Sequence, residues 1–377
     1  MSSVAVFAGL DYHQDSIQVC VLDQEGIQLV NRSVVSEAAA VQQAVMRHGR
    51  PRRVAVEACC GASNLAHELR DDYGLPVELA HPGYVARMKR SPDKSDFSDA
   101  QLLADLVRVN YLPQVWLAPD YIRQLRRLSR HRQQLVNRRR DVKLRIRAIL
   151  RDNRLKCQHA NAWTKAWIAW LLGDADLAQS DRWIMQDHVA ELRSLGERIS
   201  AVEKRIVEFT ADDPIMAHLL SLECVGLVTA LTLRAEIGCF ARFQKAKQLS
   251  RFCSVSPRNA SSGPRQADAG LIKAGNPLLR AVLIELAHRL IRTKGHWSQL
   301  AAALLRRGKQ KNIVVAAIAN RWTRWLHHEM RRFEAAQATS APAQQKGPPL
   351  PPTPSHRPLV RDGRHDGDDG RGFRNQF

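Results

Sequence analysis

Val4-Ala5-Val6-Phe7-Ala8-Gly9-Leu10, Ile17-Gln18-Val19-Cys20-Val21-Leu22 and Ile27-Gln28-Leu29-Val30-Asn31-Arg32-Ser33 follow one another at the start of the chain, separated only by polar turns at Asp11 to Ser16 and Asp23 to Gly26. Apolar, β-rich runs of this length bounded by turn residues predict three strands. Connections this short join antiparallel neighbours. Downstream, the pattern predicts a helix over 37–47, a buried strand Val54-Ala55-Val56-Glu57, a helix over 64–72 and a strand over 76–80.

That β-β-β-α-β-α-β order describes a ribonuclease-H-like mixed sheet, although other α/β folds share the same string. The 377 residues carry 57 Lys plus Arg against 37 Asp plus Glu, a net +20. With 45% hydrophobic and 25% charged residues, the chain has material for two or three folded domains. The charge requires a polyanionic partner, and it is uneven. Residues 1–100 hold 10 cations and 13 acids, a net of −3, which leaves +23 for residues 101–377. An acidic domain adds nothing to electrostatic adhesion to nucleic acid, so acids kept beside a polyanion suggest bound metal.

Seven cysteines without repeated spacing, two of them the adjacent Cys59-Cys60, point to reduced thiols rather than a disulfide framework. The opening Met1-Ser2-Ser3-Val4-Ala5-Val6-Phe7 lacks a basic leader region. Apolar stretches such as Ile313 to Ala319 fall far short of the ~20 residues that cross a bilayer. A cytoplasmic, nucleoid-associated protein without membrane contact is the expectation.

From Tyr121 the pattern turns helical. Leu128, Leu135, Val142 and Ile149 are spaced by seven, while Leu125, Arg132, Arg139 and Ile146 share the second seam position of a coiled-coil-like face. A second stripe through Met185, Val189, Leu192, Leu195, Ile199, Val202, Ile206 and Phe209 offers a partner, within an antiparallel hairpin or across a dimer. Between Arg123 and Lys156 there are 14 Lys or Arg and two acids. Most charge runs are solvated helix faces, but here too few acids are present to form i,i+4 pairs, so phosphates are the expected counter-charge. Arg126, Arg130, Arg138, Arg139, Arg140, Lys143 and Arg147 are the candidate nucleic-acid contacts in this run. The expected domains are 1–118 (α/β), 119–212 (basic helices), 213–335 (mostly helical) and 336–377, a Pro- and Gly-rich tail expected to be disordered.

Four acids sit at element ends of the first domain. Asp11 follows Gly9-Leu10, Glu57 closes the central strand, and Asp96 and Asp99 share one face at a helix start in Lys94-Ser95-Asp96-Phe97-Ser98-Asp99-Ala100. Oxygen ligands suit Mg²⁺, and two such ions roughly 4 Å apart serve phosphodiester chemistry. The plain alternatives are a capped, dipole-favoured helix start at Asp96 and a turn at Asp11.

A second constellation spans Ser254, Ser256, Arg258, Ser261-Ser262-Gly263, Arg265, Lys273, Gly275-Asn276-Pro277 and Arg280. Asn276 with Pro277 reads as an N-cap and first helical residue. Serines in such loops usually make turn hydrogen bonds. A serine beside Arg258, Arg265, Lys273 and Arg280 is also chemically able to attack a phosphodiester.

These segments together resemble the DEDD transposases of insertion sequences, the "one-ten" family related to the pilin-gene invertase, whose first half is similar to RuvC-type Holliday-junction resolvases. The marks are Gly9-Leu10-Asp11, Val56-Glu57-Ala58, Lys94 to Ala100, Val225-Gly226-Leu227-Val228-Thr229-Ala230, Ala235-Glu236-Ile237-Gly238, Ser261-Ser262-Gly263, and Lys273 to Arg280, in that order over residues 4–333. The resemblance implies a tetrad Asp11, Glu57, Asp96 and Asp99 holding Mg²⁺ or Mn²⁺. It implies a nucleophilic Ser262, with Ser261 as the alternate, joined transiently to DNA as a phosphoserine. It further implies double-stranded donor and target DNA, a noncoding guide RNA, and a homo-oligomer, dimer or tetramer.

The sequence departs from the family at Glu223-Cys224-Val225-Gly226, where a Pro-Gly-Val-Gly turn is common, and at Ala58-Cys59-Cys60-Gly61, where a Ser- or Thr-bearing turn is common. No phosphate-binding G-x-x-x-x-G-K-[ST] motif occurs. His13, His81, His288 and His296 lack zinc-site spacing. Trp163, Trp167, Trp170, Trp322 and Trp325 recur at core-helix spacing. A water-dependent nuclease of resolvase type and a non-enzymatic nucleic-acid-binding protein are the alternative readings.

Overall fold

The computed structural model of the protein describes residues 5–89, 95–156, 161–259 and 268–340. β1 (Val6–Tyr12), β2 (Ser16–Leu22) and β3 (Gln28–Val35) form the antiparallel meander. The chain continues through α1 (Ala38–Met46), β4 (Pro51–Glu57), α2 (Ala62–Asp71), β5 (Val77–Ala80), the short α3 (Pro82–Val85), α4 (Asp96–Arg108) and β6 (Gln114–Val115). The six strands lie in the order β3-β2-β1-β4-β5-β6. β4 runs parallel to β1, β5 parallel to β4, and β6 closes the far edge antiparallel. An antiparallel meander whose first strand becomes the centre of a parallel βα layer is the ribonuclease-H-like arrangement. α3 and β6 were absent from the expected order because elements of four and two residues carry no readable period.

Strand parity separates the two faces of this sheet. Val6, Ala8, Leu10, Val54 and Val56 pack with Val41 and Val45 of α1 and Leu65 and Leu69 of α2. Phe7 and Ala55 point the other way, against Leu103 and Val107 of α4. Asp11 and Glu57 continue this second parity at the strand ends, on the side that α4 covers. Gly9 sets the spacing: a Cβ there would run into Ala100 O and Ala104 N, so only glycine lets α4 cross β1 this closely.

The basic region is a hairpin of α5 (Asp120–Asp152) and α7 (Gln179–Phe209), bridged by α6 (Lys165–Gly173). Its antiparallel sense follows from two contacts. Arg132 meets Glu203 at 2.6 Å, and Asn153 Nδ2 donates to Asp181 at 2.9 Å. Thus Arg132, which interrupts the apolar seam in sequence, is answered by an acid from the facing helix. Leu135, Val142, Ile146 and Leu150 pack with Met185, Val189, Leu195 and Ile199, and Trp167 and Leu171 cover them. Leu150 is buried where strict heptad spacing puts Ile149, because a straight helix of 3.6 residues per turn drifts from a seven-residue repeat.

The expected boundary at residue 212 does not separate two cores. Leu125 of α5 and Ile206 of α7 lie in one core with α8 (Pro214–Ser221), α9 (Leu227–Ile237), α10 (Ala246–Phe252), α11 (Pro277–Leu290), α12 (His296–Arg306) and α13 (Lys311–Ser340). The hairpin seam stays apolar as it enters this bundle, so its base and the bundle share one interior. α9 is buried nearly all round, as a central helix must be. α13 runs to Ser340, taking in the first five residues of the expected tail, because Ala335 to Ala338 are mostly good helix formers. The remainder of the tail lies outside the described residues. β7 (Pro257–Asn259) and β8 (Asp268–Leu271) pair antiparallel ahead of α11. Between them Ser261, Ser262 and Arg265 lie outside the described residues, as does Lys94.

Candidate metal centre and nucleic-acid interface

β1 delivers Asp11 and the turn after it delivers His13, while the first turn of α4 delivers Asp96. His13 Nε2 lies 3.3 Å from Asp11 Oδ2 and 3.3 Å from Asp96 Oδ1. One ligand atom from each residue falls within 4.8 Å of the other two. Asp11 Oδ2 and His13 Nε2 are shielded from solvent, yet neither makes a hydrogen bond, since their close contact is not aligned for one. Buried polar atoms without partners are costly. Two such poorly paired atoms, one from a carboxylate and one from an imidazole, facing the carboxylate of Asp96, define a place that favours a cation.

Burial is the main cause that pushes the Asp11 carboxyl above its ordinary range. The charge of His13 pulls it down, and those of Asp96 and Asp99 push it up again. The donor set of carboxylates with an imidazole therefore fits a divalent ion, which would discharge the repulsion. Asp99 is turned to another partner: buried in α4, it takes an ion pair of 2.6 Å from Lys89 Nζ. The two line part of a cavity of about 610 Å³ with Ser98, Gln101, Asp105 and Tyr111. Glu57 closes β4 beside Asp11, since Leu10 pairs with Val56 in register. Both acids, after burial, raise the Cys59 thiol above its usual value.

The four acids expected from sequence thus share one end of the sheet, but only Asp11 and Asp96 enter the tight cluster. His13 and Lys89 were missed. His13 lacks zinc-site spacing, yet it stands at i+2 from Asp11, the spacing that keeps a side chain on one face of extended backbone. The capped helix start expected at Asp96 is only partly present at the preceding Ser95. Its backbone is extended at the helix start, but its side chain makes no cap, and Ser98 Oγ donates instead to Ser95 O at 2.8 Å.

Along α5, Arg138, Arg140 and Arg147 are exposed, with Arg139 and Lys143 half-buried. Lys143 and Arg147 lie over the Trp163 ring at 4.6 and 5.5 Å, so this indole binds cations of its own chain. Arg126 is a correction to the expected interface. Its Nε donates to Ala235 O at 2.6 Å and its Nη2 to Glu236 O at 3.3 Å, satisfying the C-terminal carbonyls of α9. Arg130 forks onto the Glu236 carboxylate at 3.1 and 3.2 Å. Glu236 is only 3% exposed and also accepts from Asn276 Nδ2 at 2.8 Å.

Asn276 caps α11 as its sequence predicts, accepting from Leu278 N and Leu279 N. Gly275 before it has φ +115°, and a Cβ there would strike Ser254 Oγ and Phe252 O. Ser254 donates to Ala274 O at 3.0 Å and Ser256 to Ser250 Oγ at 3.1 Å, both buried, which leaves them structural roles. Arg258 and Lys273 are exposed, and Arg280 is half-buried. At the departure Glu223 to Gly226, Cys224 adopts φ +62°, a conformation that glycine takes without strain.

Residues 8–153 match the DEDD transposase family model of IS110 type, and residues 216–302 match the transposase model of the IS116/IS110/IS902 family. The transposase for insertion sequence element IS1111A of Coxiella burnetii is 26% identical over 83% of this chain and 86% of its own length. The transposase for insertion sequence element IS1328 of Yersinia enterocolitica is 24% identical over 73% and 82%. T. thermophilus RuvC, solved in complex with a Holliday junction substrate, is 17% identical with a TM-score of 0.24, covering 29% of this chain and 99% of its own. The fold assignment therefore rests on the sheet topology. Among the described residues no helix is long and apolar enough to cross a membrane.

Proposed function

Since the chain belongs to the IS110 family of insertion-sequence transposases, we propose that it cuts and rejoins double-stranded DNA through a covalent phosphoserine on Ser262. The metal part of this reading is carried by the convergence of Asp11, Asp96 and His13 on one point, and the serine nucleophile by the likeness of Ser261-Ser262-Gly263 to the family's motif. Asp11, Glu57, Asp96 and Asp99 would hold Mg²⁺ or Mn²⁺, with Asp99 exchanging its ion pair to Lys89 for the ion. The bound ion supplies electrostatic stabilisation to the phosphoryl oxygens. Ser262 Oγ forms a bond to phosphorus as one backbone P–O bond breaks. The serine proton passes to solvent, and the leaving strand oxygen takes one up. Arg258, Arg265, Lys273 and Arg280 offset the charge on the pentacoordinate phosphorus. Attack by a second strand's hydroxyl reverses the linkage and restores the serine.

A noncoding guide RNA and both DNA partners lie along the exposed cations of α5, and the active form is a homo-oligomer that works at the nucleoid. Recovery of a discrete, element-encoded RNA with the purified protein is the expected sign of guidance. Ser262→Ala abolishes the covalent protein–DNA adduct and strand exchange while DNA binding persists. Undiminished recombinants from that variant overturn the nucleophile, and cleavage without an adduct identifies water in its place. Asp11→Ala and Asp99→Ala each abolish cleavage. Wild-type rates from both with magnesium present overturn the metal reading.

A further inference from the structure

We propose that His13 is a nitrogen ligand of the bound metal and biases the centre toward Mn²⁺ over Mg²⁺. The inference rests on the metal reading of Asp11 and Asp96 and adds the identity of the ion. His13 Nε2 stands 3.3 Å from a carboxylate oxygen on either side. Ligands bound at about 2.1 Å to adjacent corners of an octahedral ion are themselves about 3 Å apart, so His13 Nε2 already stands from each carboxylate at nearly the spacing of a neighbouring ligand on one such ion. Nε2 is shielded from solvent and meets both carboxylate oxygens without the alignment of a hydrogen bond, an approach that suits three ligands facing a shared cation.

The position of the ring is itself built in. His13 N donates to Ser16 O at 2.9 Å, and His13 O accepts from Ser36 Oγ at 3.0 Å, which ties the turn between β1 and β2 to the end of β3. The imidazole is thereby carried to the carboxylates by a fixed piece of backbone. Mg²⁺ prefers oxygen ligands and dehydrates reluctantly. Imidazole nitrogen suits first-row transition ions, the later ones most of all; of the two ions proposed for these acids only Mn²⁺ is a transition ion, so replacing one oxygen donor by His13 moves selectivity from Mg²⁺ toward Mn²⁺.

The test uses the full chain and the metals alone. Mn²⁺ and Mg²⁺ affinities are measured by titration calorimetry, and pulsed EPR of the bound Mn²⁺ reads nitrogen coupling. The expected result is nitrogen modulation in the wild type that disappears in His13→Asn. Mn²⁺ affinity should fall at least about tenfold, the lower bound that loss of even an outer partner brings, and Mg²⁺ affinity should fall less, so that the preference for Mn²⁺ narrows. His13→Ala, with its thermal melt, controls for folding and should lose the same modulation. Asp11-dependent Mn²⁺ binding without nitrogen coupling, and with an unchanged preference, overturns the role of His13 while sparing the metal centre. Absence of divalent-ion binding by the wild type overturns both.

Discussion

At Gly9, the α4 backbone lies where any other residue would place its Cβ. That hydrogen-sized gap lets Asp96 reach Asp11 and His13 across the sheet. Gly9→Ala therefore forces backbone apart from backbone, and overpacking of this kind costs about 3 kcal/mol at the upper end of its usual range. We expect a lowered Tm and loss of DNA cleavage together, measured by thermal melts and a strand-cleavage assay. An unchanged melt would show that α4 shifts freely. The same scale shows what single residues reveal in sequence. Asp11, Glu57, Asp96 and Asp99 were legible from their places at element ends, whereas Lys89 was not. Its link to Asp99 spans ten positions, and no periodicity encodes it.

At the scale of elements, long amphipathic helices were readable and their boundaries less so. The α5 and α7 stripes named the hairpin faces, but the pairing of Arg132 with Glu203 required the facing helix. α13 adds a titratable lock. His327 is 2% exposed, its Nε2 bonds Phe243 O at 2.8 Å, and burial, with His328 and Arg331 nearby, depresses its pKa below the ordinary 6.5. In the window below about 6.5, the unfolded chain binds the proton more readily than the native state. Stability therefore rises with pH there and is lost as pH falls through the native value. Melts between pH 8 and 5 should show this loss in the wild type and a shallower one in His327→Gln, which keeps a donor without titrating. Equal slopes would assign the acid sensitivity to other groups.

At the scale of the whole molecule, a net −3 over residues 1–100 and +23 beyond them accords with the proposed division between a sheet that holds metal and helices that hold nucleic acid. Each phosphate contact contributes roughly 0.9 to the slope of log affinity against log salt. Removing Arg138, Arg140 or Arg147 should each lower that slope by about 1, read by binding titrations over a salt series. Arg126→Ala should leave the slope intact and lower Tm, because it strips two carbonyls at the end of α9 of their donor, at about 1–3 kcal/mol. A lowered slope from Arg126→Ala would return it to the interface. Local chemistry written into consecutive residues was determined by the sequence alone: the strand meander, the Asn276-Pro277 cap, the amphipathic stripes and the candidate acids all depend on near neighbours. Only the tertiary structure decided that His13 joins Asp11 and Asp96, that Lys89 holds Asp99, and that Arg126 faces inward. Those contacts join elements distant along the chain, and their geometry depends on how closely the elements pack.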